Sequence, residues 1–148
     1  MTQLTRFIRQ TLTCALVLML AACATSGQTF TQMQTGAPML AANNGRIYVY
    51  RTSILGAAIQ PSVKLDSTVV GDAVPQGYFF IDRPAGNYKI STETEVDRMV
   101  SLTLEPGQIR YVRLDPTFGF FVGHISPVLV DNQQGEKEIK DCHYTGKP

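Results

Sequence analysis

The residues best suited to chemistry are few and widely spaced. The three cysteines are Cys14, Cys23 and Cys142, and the two histidines are His124 and His143. A tetrahedral zinc site needs three or four Cys, His or acidic ligands. Only Cys142 and His143 are neighbours, and adjacent residues of a strand point to opposite faces. The sequence therefore predicts no metal site and no cofactor.

Other signatures of catalysis are also missing from the sequence. No Gly-x-Ser-x-Gly turn presents a serine nucleophile, and no glycine-rich loop is followed by a basic residue that would hold phosphate. Glu93 and Glu95 would share one face of a strand, and paired carboxylates can act on sugars. The polar residues around them are more typical of a water-facing edge. We predict no catalytic residues and expect that the protein is not an enzyme.

The strongest chemical prediction concerns Cys23. Ahead of it lie Arg6 and Arg9 without a carboxylate, the apolar run Leu12 to Leu20, and two alanines. This order is typical of a bacterial export signal. The apolar run has roughly ten residues, whereas a helix that spans a membrane needs about 20. The sequence predicts a signal that is removed and not a transmembrane helix.

The four residues Leu20-Ala21-Ala22-Cys23 resemble the lipobox of bacterial lipoproteins. This resemblance implies that the Cys23 thiol receives a diacylglycerol, that the signal 1–22 is cut off, and that the new amino group is acylated. Several acyl chains on one residue give a stable anchor, because each buried CH₂ contributes about 0.8 kcal/mol. Ala24 after the cysteine implies the outer membrane, with the protein facing the periplasm, in preference to the inner membrane. The membrane is thus the first expected partner.

The mature chain predicted by this cleavage is small and nearly neutral. Its 126 residues fit one domain. Without Arg6 and Arg9, 11 basic residues face 12 acidic ones, and no run of like charges appears. This balance does not predict binding to nucleic acid. Because Cys14 leaves with the signal and Cys23 is lipidated, Cys142 is expected as a free, partly buried thiol near the end of the domain.

The segment 23–45 is rich in Thr, Gln, Ser, Gly and Ala, without a sustained period. It predicts a lipidated N-terminus and a flexible linker. Its apolar residues offer an alternative, in which part of the segment docks onto the domain; they are Phe30, Met33, Met39 and Leu40.

From Arg46 onward, short apolar runs alternate with Pro, Gly, Asn and Asp. This pattern predicts roughly eight strands in a domain over 46–142, followed by a tail over 143–148. Arg46 to Arg51 is apolar on both faces, so we expect a central strand with Ile47 and Val49 on one face and the tyrosines on the other. A hairpin is predicted around Asp66-Ser67.

Proline and glycine predict the turns further along the chain. Arg83 to Gly86 predicts a type I turn, and Glu105 to Gln108 predicts a type II turn with Gly107 at positive φ. Asp115 to Thr117 is expected to break strand pairing. The charged segment 132–142 predicts a short C-terminal helix. Val100, Leu102 and Leu104 alternate toward the core.

Three aromatic residues close together suggest a partner surface. If the segment is a strand, Phe118 and Phe120 share one face and Phe121 lies on the other. At least one ring is then hard to bury in a small core, and exposed aromatic clusters mark interaction sites. The alternative is that all three rings fill the core.

The run Asp82-Arg83-Pro84-Ala85-Gly86-Asn87-Tyr88, with Glu105-Pro106-Gly107 and Tyr111-Val112-Arg113 after it, resembles a family of small bacterial lipoproteins with an uncharacterised β domain. The likeness extends from Arg46 to Cys142. It implies an all-β fold, a single antiparallel β-sandwich of immunoglobulin-like or transthyretin-like type. It implies no catalytic residues.

Together these observations predict a lipid-anchored lipoprotein of the cell envelope that acts as a non-catalytic binding or structural module. Its expected partners are the membrane, through Cys23, and an envelope protein. The alternative is a periplasmic enzyme or redox factor that uses Cys142 or an unidentified serine or carboxylate site.

Overall fold

The computed structural model of the chain describes residues 27–93, 98–118 and 123–146, without the side chain of Phe118. Within these ranges the predicted all-β sandwich with a short C-terminal helix is confirmed. The elements are α1 (Phe30–Gly36), β1 (Asn44–Tyr50), β2 (Ser62–Leu65), β3 (Thr68–Asp72), β4 (Gly77–Pro84), β5 (Gly86–Thr92), β6 (Arg98–Leu104), β7 (Ile109–Phe118), β8 (Gly123–Val130), α2 (Asn132–Glu138), a 3₁₀ helix (Ile139–Asp141) and β9 (His143–Tyr144).

The strands form two sheets. The five-stranded sheet has the order β8-β7-β1-β4-β9, and the four-stranded sheet has the order β3-β2-β5-β6. As predicted, β1 is central, with β4 on one side and β7 on the other. The β1–β7 and β4–β9 pairs are parallel, so this sheet is mixed and not wholly antiparallel as predicted. The parallel pair arises because β1 and β7 begin side by side, with the Arg46 N–H donating to the Gln108 carbonyl at 2.8 Å.

The space between the sheets is filled by apolar side chains that alternate along the strands, and all but Phe79 are aliphatic. The predicted inward positions of β1, β2 and β6 are confirmed. The buried residues of this core are all at most 6% exposed, and all but Ala73 are large. They are Ile47, Val49, Val63, Leu65, Ala73, Phe79, Ile81, Ile90, Leu102, Leu104, Val112, Leu114 and Ile125. Burial of this aliphatic area is the main force that holds the two sheets together.

Two of the predicted turns are confirmed. Asp66 has φ +55° between β2 and β3, and its N–H donates to the Lys89 carbonyl at 2.7 Å. Gly107 has φ +73°, and the Gln108 N–H donates to the Glu105 carbonyl at 3.0 Å. Positive φ at the third position is the feature that makes a type II turn favour glycine.

Two other predictions at prolines are wrong. Arg83 to Gly86 does not form the predicted type I turn, because Arg83 and Pro84 continue β4 and the chain only bends at Ala85 before β5 begins in the other sheet. Pro116 does not break pairing, since it lies opposite Ile125 within the β7–β8 ladder. Beyond Arg113, β7 no longer pairs with β1, and a strand with one open side tolerates a proline.

The predicted boundaries of the domain also differ from the structure at both ends. Within the segment predicted as a linker, the chain forms α1 and buries Phe30 to 2% exposure. The docking alternative therefore holds for Phe30 and in part for Met33, which packs against the same cluster, whereas Met39 is 94% exposed. The predicted tail contributes β9, which pairs with the first residues of β4. The outer face of the five-stranded sheet is apolar and has to be covered, and this explains why segments from both ends of the domain dock onto it.

Candidate functional site

The outer face of the five-stranded sheet carries tyrosines where the inner face carries aliphatic residues. Tyr48 and Tyr50 come from β1, Tyr78 from β4 and Tyr111 from β7, and all four are at most 6% exposed. Tyr48 stacks on Tyr111 with ring centroids 5.3 Å apart and an interplanar angle of 17°. We call this face, with the α1 and α2 segments that cover it, the covered face.

The first cover is α1. Its N-cap, Thr29, accepts a hydrogen bond from the Gln32 N–H, and the Gln32 side chain accepts one from the Thr29 N–H. This capping box satisfies two otherwise unpaired N–H groups and fixes the start of the helix. Phe30 follows and meets Tyr48 and Tyr78 edge to face, with centroids 5.4 and 5.5 Å away.

The second cover is α2, which begins after its N-cap Asp131, the acceptor of a 2.9 Å hydrogen bond from the Gln134 N–H. Gly135 is buried on Tyr111, and a Cβ placed there would lie 2.2 Å from the ring carbon Cγ of Tyr111. Only glycine lets the helix approach the ring this closely. The sequence shows a glycine inside a charged helix, and the contact with Tyr111 is the reason for it.

A half-buried polar network joins α2 to the sheet. The Tyr50 hydroxyl donates to Glu138 Oε2 at 2.8 Å, and Arg113 Nη1 donates to both Glu138 carboxylate oxygens at 3.0 and 3.1 Å. Arg113 also forms a two-pronged ion pair with Asp115 at 2.7 and 2.9 Å. Sequence analysis missed this network, whose members are up to 88 residues apart.

The network sets the ionisation of its members. Burial opposes the charge on Glu138, but hydrogen bonds from Gln134, Tyr50 and Arg113 outweigh it and lower the pKa of this carboxyl. Burial, together with the Glu138 carboxylate, raises the pKa of Tyr50. The hydrogen bond to Asp115 and the contact with Glu138 raise the pKa of Arg113. Such a set holds fixed charges in place at neutral pH and provides no group poised to exchange protons.

Cys142 is one of the buried residues that pack with the tyrosines of the covered face. The structure places it as an unpaired thiol with 0% exposure, deeper than the partly buried position expected, and Sγ is 3.7 Å from the Arg51 carbonyl. Burial, reinforced by Asp141 and Glu138, raises the pKa of this thiol to about 12. Because the thiolate is the reactive form, a buried thiol with a raised pKa is poorly reactive.

The two histidines are held apart by the sheet. His124 is on the edge strand β8 and His143 is on β9 at the opposite edge, so four strand spacings of about 4.8 Å separate them. The His143 Nδ1 atom is buried without a hydrogen-bond partner, as is the Tyr78 hydroxyl. Across the described residues, no group of three or more His, Cys, Asp and Glu side chains is placed to hold a metal ion.

Arg51 is fully buried and organises the loop after β1. Its Nη1 donates to the carbonyls of Ile59 and Ala73, both at 2.8 Å, and its Nη2 donates to those of Leu55 and Gly56. Burial lowers the pKa of this guanidinium. Carbonyl oxygens replace the water that a buried cation loses. The sequence pattern placed Arg51 only as the end of a strand.

This loop presents apolar side chains to solvent beside the start of β8. Ile54 is 67% exposed and Leu55 is 53% exposed. A Cβ placed on Gly123 would lie 2.7 Å from Cδ1 of Ile59, so the loop and the β7–β8 hairpin are neighbours. In the sequence, the predicted partner surface of Phe118, Phe120 and Phe121 falls at the last residue of β7 and between β7 and β8.

Several predicted residues fall outside the ranges that the structure describes. The side chain of Phe118, and all of Phe120 and Phe121, lie outside the described residues, as do Cys23 and Glu95. Glu93 is exposed and forms an ion pair with Lys64. In the part of the chain that the structure covers, no helix is long and apolar enough to cross a membrane.

Comparison with known proteins identifies the family. Residues 41–125 match the family DUF2846, described as a protein of unknown function. This chain belongs to the DUF2846 family. A relative called "Uncharacterized protein" in Haemophilus influenzae is 30% identical over 126 residues, which cover 82% of this chain and 75% of the relative. No solved structure matches the chain.

The DUF2846 match runs from just before β1 into the first residues of β8. It thus includes β1 to β7, and with them most of the core between the sheets. The helices α1 and α2 lie outside the matched residues. The helices that cover the outer face are therefore not described by the family match.

Proposed function

We propose that this DUF2846 protein is a lipoprotein anchored in the outer membrane through Cys23 and facing the periplasm, where it acts as a non-catalytic binding or structural module. The observation that carries the proposal is the sequence Leu20-Ala21-Ala22-Cys23 after a short apolar run with two arginines ahead of it. Acylation at this cysteine supplies several chains, enough for stable attachment.

A partner surface is proposed at the end of the sandwich where the β7–β8 hairpin meets the Arg51 loop. Exposed apolar side chains beside one another favour a protein interface, and Ile54 and Leu55 meet this description. Phe118, Phe120 and Phe121, which come between Thr117 of β7 and the start of β8 in the sequence, would extend the same surface. The partner that fits is an envelope protein with a complementary apolar patch.

Catalysis or redox chemistry at Cys142 is the alternative. The burial of the thiol and its raised pKa count against it. We expect no alkylation of the native protein at pH 8 and complete alkylation of Cys142 after unfolding without reductant. Rapid alkylation of the folded protein, or a disulfide-linked dimer in fresh membranes, would favour the alternative.

The anchor is tested by substitution of Cys23. We expect Cys23→Ser to abolish acylation, because lipidation needs the thiol, and to remove the protein from the membrane fraction. Cys142→Ala is the matched control, since it removes the other cysteine of the mature chain and should leave fractionation unchanged. Membrane pelleting of Cys23→Ser equal to that of the unmodified sequence would contradict the lipoprotein proposal.

A further inference from the structure

The segment Gly27–Asn43, which we call the strap, is bound to the sandwich along its length. The Tyr144 N–H donates to the Gln28 carbonyl at 2.8 Å. Arg46 Nη2 donates to the Pro38 carbonyl at 2.8 Å. The Ala85 N–H donates to the Asn43 carbonyl at 3.1 Å. The strap is therefore fixed near both ends and in the middle.

Phe30 is the main apolar contact that holds the first half of the strap, with the half-buried Met33 packed against the same cluster. Phe30 is the only buried residue of α1 and lies at 2% exposure against Tyr48 and Tyr78. The isolated bridge between Thr29 and His143 aligns the strap with β9 just before this contact. Because α1 has only seven residues, its helical order depends on this docking and not on its own propensity.

The strap shortens the distance between an anchor at Cys23 and the sandwich. From Cys23 to Gly27 a fully extended chain reaches about 14 Å, since each residue adds at most about 3.6 Å. With the strap released as far as Pro38, the same estimate gives about 50 Å. Docking of Phe30 therefore decides how far the sandwich can stand from its lipid.

We propose that the strap holds the sandwich against the bilayer that carries its lipid, with the β9 edge facing the lipid headgroups; this rests on the proposed lipidation of Cys23. The strap has no charged residue, so headgroups of either sign do not repel it. The proposed position also limits the partner. It fits a component of the same membrane surface and does not fit one that must be reached across the periplasm.

The test uses the full-length lipidated protein in vesicles of phosphatidylethanolamine and phosphatidylglycerol. A donor fluorophore is placed through Val128→Cys on the far edge strand β8, and an acceptor is placed on lipid headgroups. Cys142 is buried, so the new thiol is labelled selectively. With about 4.8 Å between strands, the donor should stay within about 40 Å of the headgroups and give clear energy transfer.

Two variants lengthen the distance in different ways. Phe30→Ser removes the docked ring, and a flexible insert of 20 Gly and Ser residues after Thr25 lengthens the chain without changing the sandwich. Both should reduce energy transfer markedly while vesicle flotation stays complete. Met39→Ser is the matched control, because it removes an apolar side chain of the same strap that is 94% exposed, and it should change nothing.

The outcomes separate the strap from the anchor. Loss of vesicle flotation by the unmodified protein would refute lipidation, whatever the energy transfer. Full flotation with low transfer in the unmodified protein would refute the strap. Transfer that a folded Phe30→Ser variant or the insert fails to lower would also refute it. If Phe30→Ser alone fails to fold, the insert still decides, because it leaves every docked residue in place.

Discussion

The two faces of the five-stranded sheet use different chemistry. The inner face packs Ile47, Val49, Val112 and Leu114 against aliphatic residues of the other sheet. The outer face packs tyrosines against segments from the two ends of the domain. The inner face is thus closed by strands of the family domain, whereas the covered face is closed by α1 and α2, which lie outside the family match.

This difference indicates which face holds the sandwich together and which face has a cover that can open locally. Aliphatic packing between sheets has no polar atoms to satisfy and serves any β-sandwich. Tyrosine rings offer apolar area together with hydroxyl groups, as in the hydrogen bond from Tyr50 to Glu138. A cover held by rings and hydrogen bonds can open locally while the sandwich stays folded.

The largest expected effect is a cavity in the core between the sheets. Leu114→Ala should lower the free energy of unfolding by about 3 kcal/mol, because Leu114 is 2% exposed and loss of its buried side chain leaves a cavity. Urea unfolding followed by circular dichroism measures this change. A loss below about 1 kcal/mol would mean that the inner face is not the main source of stability.

A smaller effect is expected from Gly135→Ala on the covered face. The added methyl group would meet Tyr111 and push α2 away from the sheet, a distortion that costs about 1–3 kcal/mol. Hydrogen exchange should show faster exchange in α2 with β1 and β4 still protected. Gln133→Ala, at an exposed position of the same helix, is the control. Equal loss of protection in the helix and the strands would contradict a separable cover.

Acid should weaken the cover through Glu138. A carboxyl with a lowered folded pKa contributes stability above its unfolded pKa, about 4.3, and this contribution is lost as the pH falls through the folded pKa. We expect Glu138→Gln to reduce the loss of melting temperature between pH 5 and pH 3. Glu136→Gln, an exposed carboxylate of the same helix, should keep it. The same pH slope for Glu138→Gln and the unmodified protein would exclude this role.

The smallest effect on stability is expected where the partner surface is proposed. Replacing the most exposed of Phe118, Phe120 and Phe121 with serine should leave thermal unfolding nearly unchanged and reduce the envelope proteins recovered after cross-linking. A core phenylalanine would instead cost about 3 kcal/mol or more. A large loss of melting temperature in all three variants would eliminate the partner surface.

The sequence predicted the inner face better than the covered face, for a physical reason. Alternation along a strand identifies inward residues such as Val63 and Leu65, because burial follows a period of two. The same alternation placed Tyr48 and Tyr50 opposite the core but did not say what would cover them. Contacts such as Phe30 with Tyr78 join distant parts of the chain and leave no local pattern.

The turns predicted from local residue types were also correct in one place and wrong in another. Gly107 was predicted correctly, because a type II turn requires positive φ at that position. The turn at Arg83 to Gly86 was wrong, since its residues fit a local bend equally well and the choice of sheet for β5 depends on distant packing. The buried Arg51 was missed because an arginine at a strand end is usually exposed.

The central proposal is that this domain is attached to a membrane through Cys23. Its most direct test is the mass of the N-terminal peptide of the protein extracted from envelopes with detergent. We expect a peptide that begins at Cys23 and carries a diacylglycerol thioether and an acylated amino group. An unmodified peptide, or one that still contains residues of the signal 1–22, would contradict the proposal.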